Sequence, residues 1–187
     1  VDARIQSQLD AGHDPQKADV EACHWLAKAC QRQSVTCFYI SSWRLFSGRL
    51  DRLYAEKDPS DADTDVGAAL LTAEHAVVER CDAHVVIRLG PVFAHRGENW
   101  LASALRALAA GEPGAMRQIH HGTPVAAADA ARVVSAMLDQ LSVGAMTWGI
   151  FHYTGSDRAG AGDLEEVMLA AAGQFLDLDA AATGREP

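Results

Sequence analysis

Val35-Thr36-Cys37-Phe38-Tyr39-Ile40 runs straight into Ser41-Ser42-Trp43-Arg44-Leu45-Phe46-Ser47-Gly48. The first six residues are rich in β-branched and aromatic side chains, the pattern of a short strand covered on both faces. Upstream, Val20, Cys23, His24, Leu26, Ala27 and Cys30 recur at helical spacing, which predicts a helix from about Ala18 to Arg32 with those residues on its buried side. Downstream the alternation repeats. A helix from about Val66 to Arg80 precedes a strand from His84 to Leu89, and a helix from Glu98 to Ala110 precedes a short extended piece near Met116 to Ile119. A helix from Ala126 to Leu141 precedes a strand from Thr147 to Tyr153, and a last helix is expected from Gly162 to Phe175. Helices alternating with strands of this length specify βαβ units and an α/β fold with a parallel sheet.

Between the first strand and the next helix, Leu50 to Asp65 carries five aspartates and Pro59 and reads as a solvated loop. At 187 residues and 49% hydrophobic, the chain can bury one core, so residues 1–178 are expected to form a single domain, with 179–187 a flexible tail. Sixteen basic and 25 acidic residues give a net charge of −9, which argues against nucleic-acid and anionic-membrane surfaces. No apolar run approaches the roughly 20 residues of a membrane helix, and no leader opens the chain, so a cytoplasmic address is expected. The four cysteines form no Cys-x-x-Cys pair and are expected to be reduced and packed. The histidines show no spacing that favours a metal site.

A dinucleotide-binding sheet opens with a strand, a glycine-rich turn and a helix N-terminus that holds the pyrophosphate. No Gly-x-Gly-x-x-Gly follows a strand here; Gly111-Glu112-Pro113-Gly114 and Gly160-Ala161-Gly162 read as turns.

Val66 follows Ser42 by 24 residues and opens Val66-Gly67-Ala68-Ala69-Leu70-Leu71-Thr72-Ala73-Glu74. Together with Ser41 to Gly48, this layout resembles the extended short-chain dehydrogenases of the dTDP-4-dehydrorhamnose reductase (RmlD-like, sugar-nucleotide-binding) family, whose stretches read S-T-D-Y-V-F-D-G and Y-G-x-S-K-L-x-G-E. Arg88-Leu89-Gly90-Pro91-Val92-Phe93 is similar to the family's R-x-x-x-V-Y, Gln118 to Thr123-Pro124 to D-Q-x-G-x-P-T, and Gly149-Ile150-Phe151-His152 to G-x-Y-H. Tyr54-Ala55-Glu56-Lys57-Asp58-Pro59 is close to its Tyr-x-Glu-x-x-x-Pro loop. The resemblance implies a Rossmann-like sheet with flanking helices that lacks the N-terminal glycine-rich βαβ half. That half would lie in a longer parent chain, or the exposed sheet edge would be covered by a second copy or a partner subunit.

By that resemblance Ser42 falls on the catalytic Ser/Thr, Val66 on the catalytic Tyr and Leu70 on the catalytic Lys. Reducing a sugar ketone by hydride transfer needs a proton for the nascent alkoxide, which a phenol supplies when an adjacent ammonium lowers its pKa. Tyr and Lys four residues apart share one helix face. Val66 and Leu70 present hydrocarbon there, and no tyrosine in the chain has a lysine four residues on. Read from the residues alone, the two are core positions of an amphipathic helix.

The resemblance further implies a nucleotide-sugar ligand, with Arg88, Val92, Phe93, Gln118, Gly122 and Pro124 on the substrate side and Ser41, Leu89, Gly90 and Pro91 on the cofactor side. NADP or NAD would bind only if further residues supplied the phosphate loop. Ser42 is equally a strand-end serine, and Arg88 equally an ion-pair partner. Three functions are expected of such a chain. One is a sugar-nucleotide-binding protein with an impaired catalytic site. Another is a regulatory or scaffolding subunit. The third is a working NAD(P)H-dependent reductase or epimerase that borrows an acid from His95, His121 or Tyr54.

Overall fold

The computed structural model describes residues 1–10, 12–49, 52–110, 123–156, 166–167 and 170. The helices are α1 (Arg4–Asp10), α2 (Lys17–Arg32), α3 (Asp65–Arg80), α4 (Trp100–Ala109) and α5 (Ala127–Ser142). The strands are β1 (Cys37–Ser42), β2 (His84–Leu89), β3 (Val92–Phe93), β4 (Val125–Ala126) and β5 (Gly149–Tyr153), with a 3-10 turn at Trp43–Leu45. β1, β2 and β5 form one parallel sheet in that order, and β3 pairs with β4 in parallel. This is the Rossmann-like α/β architecture expected. The extended piece near Met116 to Ile119 and the tail lie outside the described residues, and the helix expected from Gly162 is described at 166–167 and 170 alone.

Strand alternation sorts the core into two layers. Cys37, Tyr39 and Val86 turn toward α2 and α3, where Cys23, Ala27, Leu70, Ala73 and Val77 meet them. Phe38, Ile40, Val85, Ile87 and Leu89 turn the other way, against Ala130, Val133, Val134 and Met137 of α5. Each fully buried aliphatic side chain stabilises the fold by about 1.5–3 kcal/mol relative to exposure, so the two layers carry the sheet.

Local signals set the ends of the elements. At α2 the Gln16 N–H donates to the Asp19 carboxylate at 2.9 Å. The helix stops at Ser34, whose φ of 53° is left-handed, and Val35 N–H closes the turn on Cys30 O at 3.0 Å. That turn consumes Val35 and Thr36, which is why the strand begins at Cys37 rather than Val35 and continues through both serines. At α3 the Thr64 hydroxyl accepts from Gly67 N–H at 3.0 Å. Asp65 and Arg80 complement the helix dipole at its two ends.

Two expectations need correction. Leu26 is 38% exposed and Trp25 beside it 62%, because the buried side of α2 is narrower than the apolar pattern suggests and centres on Cys23 and Ala27. The loop before α3 is not freely solvated: Asp58 and Asp61 accept hydrogen bonds that pin it, as described below. The four cysteines are free thiols, and burial pushes Cys23 up to about 11 and Cys37 to about 12, so both stay protonated.

Sequence periodicity gives no sign of α1, in which Ile5 and Leu9 are the only aliphatic residues. It packs on β1 and completes the first layer. Ahead of it, Asp2 bridges to Tyr39 in parallel, donating to Phe38 O at 2.7 Å and accepting from Ile40 N–H at 2.9 Å. Among the described residues no helix is long and apolar enough to cross a membrane.

Candidate functional site

The carboxyl ends of β1, β2 and β5 converge where parallel α/β sheets bind ligands. In the β1–β2 register Ser41 stands beside Arg88 and Ser42 beside Leu89; Arg88 and Leu89 in turn stand beside His152 and Tyr153 of β5. The two serines differ. Ser42 Oγ caps the 3-10 turn, accepting from Arg44 N–H at 3.4 Å. Ser41 is fully buried, and its hydroxyl has no partner among the described residues.

The first turn of α3 lies against that 3-10 turn. A Cβ on Gly67 would stand 2.5 Å from Ala62 Cβ and 3.3 Å from Arg44 O, so glycine is what permits the approach. Val66 is half-buried at this junction, and Leu70 is wholly buried in the first core layer. The α3 residues next to the Ser42 turn therefore offer hydrocarbon and no proton donor.

Arg88 turns away from solvent. Its Nε and Nη2 donate to the Glu74 carboxylate at distances of 2.7 to 3.2 Å, with the two side chains 6% and 2% exposed. A buried guanidinium is tolerable only with such pairing. Its remaining nitrogen, Nη1, faces His152 Nε2 at 3.3 Å and Glu56 O at 3.4 Å, and the guanidinium lies over the Phe46 ring. Of the two roles open to Arg88, the ion-pair partner is the one its geometry fills.

Beyond β2 lies a glycine-dependent backbone crossing. Gly90 N–H donates to Tyr153 O at 3.0 Å, Val125 N–H to Pro91 O at 2.8 Å, and Gly155 N–H to Thr123 O at 3.3 Å. A Cβ on Gly90 would stand 2.5 Å from Thr123 O, and one on Gly155 2.3 Å from Pro124 O. Thus Leu89, Gly90, Pro91 and Pro124 are brought together, but as backbone packed on backbone. Val92 joins the second core layer, and Phe93 meets Trp100 edge-on with centroids 6.2 Å apart. Asn99 opens α4, donating to Ala94 O and Gly97 O and accepting from Ala102 N–H. Trp100 Nε1 is buried with no partner among the described residues. Gln118, Gly122, His120 and His121 lie outside the described residues.

Of the candidate substitute acids, His95 is exposed, and Tyr54 is spent on structure. The Tyr54 hydroxyl donates to Asp61 at 2.9 Å and lies 3.3 Å from Ser47 Oγ, while its ring stacks on Phe46. A crevice of about 100 Å³ between α5 and the sheet, lined by Met137, Leu141, Val85 and Phe151, lies toward the amino ends of the strands. It is not the pocket expected at their carboxyl ends.

Residues 10–182 match the family of the RmlD substrate binding domain. The chain belongs to that family. It is 32% identical over 169 residues to a dTDP-4-dehydrorhamnose reductase of Burkholderia thailandensis, covering 82% of this chain and 54% of that protein. The chain spans about half the length of the curated relatives it matches. A solved dTDP-4-dehydrorhamnose reductase of Clostridium acetobutylicum superposes with a TM-score of 0.69 at 20% identity, covering 81% of this chain and 52% of that one. The Bacillus anthracis enzyme in complex with NADP gives 0.66 at 18% identity, covering 82% and 53%.

The described residues do not make a full seat for that cofactor. Ser41 is sealed in the core, and Gly90 stands at a tight backbone crossing. The sequence has no glycine-rich turn between a strand and a helix to cradle a pyrophosphate.

Proposed function

We propose that this chain is a nucleotide-sugar-binding module of the dTDP-4-dehydrorhamnose reductase type that has lost its own proton-transfer chemistry. One observation carries the reading: the α3 turn beside Ser42 bears Val66 and Leu70, and Leu70 is 0% exposed within the core. General acid catalysis is worth about 10² to 10⁴ in rate, and a valine and a leucine supply none of it. On this reading Ser42 contacts a sugar oxygen, Val92 and Phe93 line the sugar side, and Pro124, with Gln118 and Gly122, approaches the diphosphate. Leu89, Gly90 and Pro91 border a nicotinamide only in a parent chain whose further residues supply a phosphate loop for NADP or NAD.

Calorimetric titration of this chain, and of a longer parent, with a dTDP-sugar and with NADPH tests the reading. Binding of the dTDP-sugar at about micromolar Kd, with no NADPH oxidation when a dTDP-4-keto sugar is offered, is the expected result. Turnover by the parent would overturn it. A folded chain that binds neither ligand would favour the second reading, a regulatory or scaffolding subunit. That reading is supported by Trp25, Leu26 and Val35, apolar residues exposed on and just beyond α2.

A further inference from the structure

The Gly149–His152 motif ends in a histidine that the reading above leaves unused, and its surroundings define one protonation state. His152 Nε2 lies 3.3 Å from Arg88 Nη1, and its Nδ1 lies 3.2 Å from Tyr54 O. A guanidinium can only donate and a carbonyl can only accept. Nε2 is therefore the bare acceptor and Nδ1 the donor, which is a single neutral tautomer.

The contacts join two parts of the chain nearly one hundred residues apart. His152 N–H donates to Glu56 Oε1 at 3.2 Å, Arg88 Nη1 to Glu56 O at 3.4 Å, and the Phe46 ring stands edge-on to the imidazole. Residues 54–61 are thus a strap fastened to β2 and β5 near their carboxyl ends. Its far side is held separately, by Asp61 accepting from Ser47 and Tyr54.

We propose that His152 is a proton-operated latch: neutral, it fastens the strap of residues 54–61 across the carboxyl ends of β2 and β5, and protonated, it lets the strap go. A proton on Nε2 would face Arg88 Nη1, which has no lone pair to offer. Arg88 cannot withdraw, because its other nitrogens are held by the buried Glu74 carboxylate from α3. The imidazole must therefore swing, and Tyr54 O loses its donor. Glu56 is the nearby counter-charge; it rides on the strap itself, close to solvent, and offsets part of the repulsion. Tyr153, next on the strand, points to the opposite layer. Burial, and then the Arg88 charge, hold the His152 pKa below its ordinary value.

Any effect on ligand access rests on the nucleotide-sugar reading, but the release needs no ligand. Hydrogen exchange of the strap amides in the full chain, corrected for intrinsic rates, tests it between about pH 7.5 and an acid pH, about 5 or just below, at which the imidazole shifts show His152 to be ionised. Protection of residues 54–58 is expected to fall roughly tenfold at the lower pH, the scale of one lost hydrogen bond, while β1 and β2 stay protected. His152→Gln, which cannot ionise, is expected to abolish that difference. Should the variant not fold, imidazole nitrogen shifts of the wild-type chain carry the same test. Nδ1–H at neutral pH, with strap amide shifts that follow His152 ionisation, supports the latch. A protonated Nε2 at neutral pH, or a strap equally protected at both pH values, overturns it. Absence of dTDP-sugar binding leaves this result untouched, so the two readings fail separately.

Discussion

Arg88 stands near the carboxyl end of a strand, a context that suits a ligand contact, yet its guanidinium is given over to Glu74, 14 residues earlier on α3. The sequence shows an acidic residue on a helix and a basic residue on a strand; that they meet is decided by the packing of α3 on β2, which periodicity does not encode. His152 was legible as part of a motif but not as a partner of Arg88 and Tyr54, for the same reason. Removing one member of a buried pair strands the other charge. Glu74→Ala is expected to cost about 3 to 5 kcal/mol in urea denaturation, whereas the double change Glu74→Leu with Arg88→Met is expected to recover most of it. A double variant as unstable as the single one would show that the pair's loss is not the cause. The latch would then be missing from a folded protein, since Arg88 no longer faces His152.

At the scale of the element, α3 and the strap behave differently. Helix α3 was legible almost to the residue, because a 3.6-residue apolar stripe marks it. The strap was not, since its aspartates read as solvent-facing until Ser47, Tyr54, Arg52 and the Ala55 N–H are seen to meet them. Leu70→Ala in α3 is expected to destabilise the fold by about 2 to 5 kcal/mol, and Val66→Ala by clearly less, because Val66 is half-buried. Thermal or chemical unfolding of the two variants checks the order, and a larger loss at Val66 would contradict the packing described. In the strap, the Arg52 hydrogen bond holds Asp58 down at about 2, and the Ser47 N–H holds Asp61 low. Groups with depressed folded pKa values contribute above their unfolded pKa of about 3.9 and lose that contribution as pH falls through the folded value. Strap exchange is therefore expected to show a second loss of protection between about pH 4 and about pH 2, distinct from the histidine step. It should persist in His152→Gln.

For the whole molecule, the question is what lies against the outer edge of β1, the end strand of the described sheet. β1 stands at the end of the sheet order, and an unpaired edge invites association. Yet every residue of β1 is buried. Asp2 takes up Phe38 O and Ile40 N–H, while Ile5 and Leu9 of α1 cover the adjoining core. The Asp2 carboxylate is in turn held by the Arg4 side chain at 2.7 Å, so the edge cover is tied to the first turn of α1. Among the described residues, Asp2 and α1 thus lie along the β1 edge where a neighbouring strand would. Deleting them should leave two backbone groups and the flank of Tyr39 open, with a loss of cooperative unfolding and concentration-dependent self-association. Light scattering after size-exclusion chromatography reads the outcome directly. A truncated chain that stays monomeric and unfolds at the same denaturant concentration would mean that β1 is protected by α2 and α3 alone. Asp2→Ala keeps both backbone hydrogen bonds and removes the carboxylate that accepts from Arg4 and from the Cys23 thiol, so it is expected to lower stability without causing association, which separates the edge pairing from the side-chain contacts that steady it.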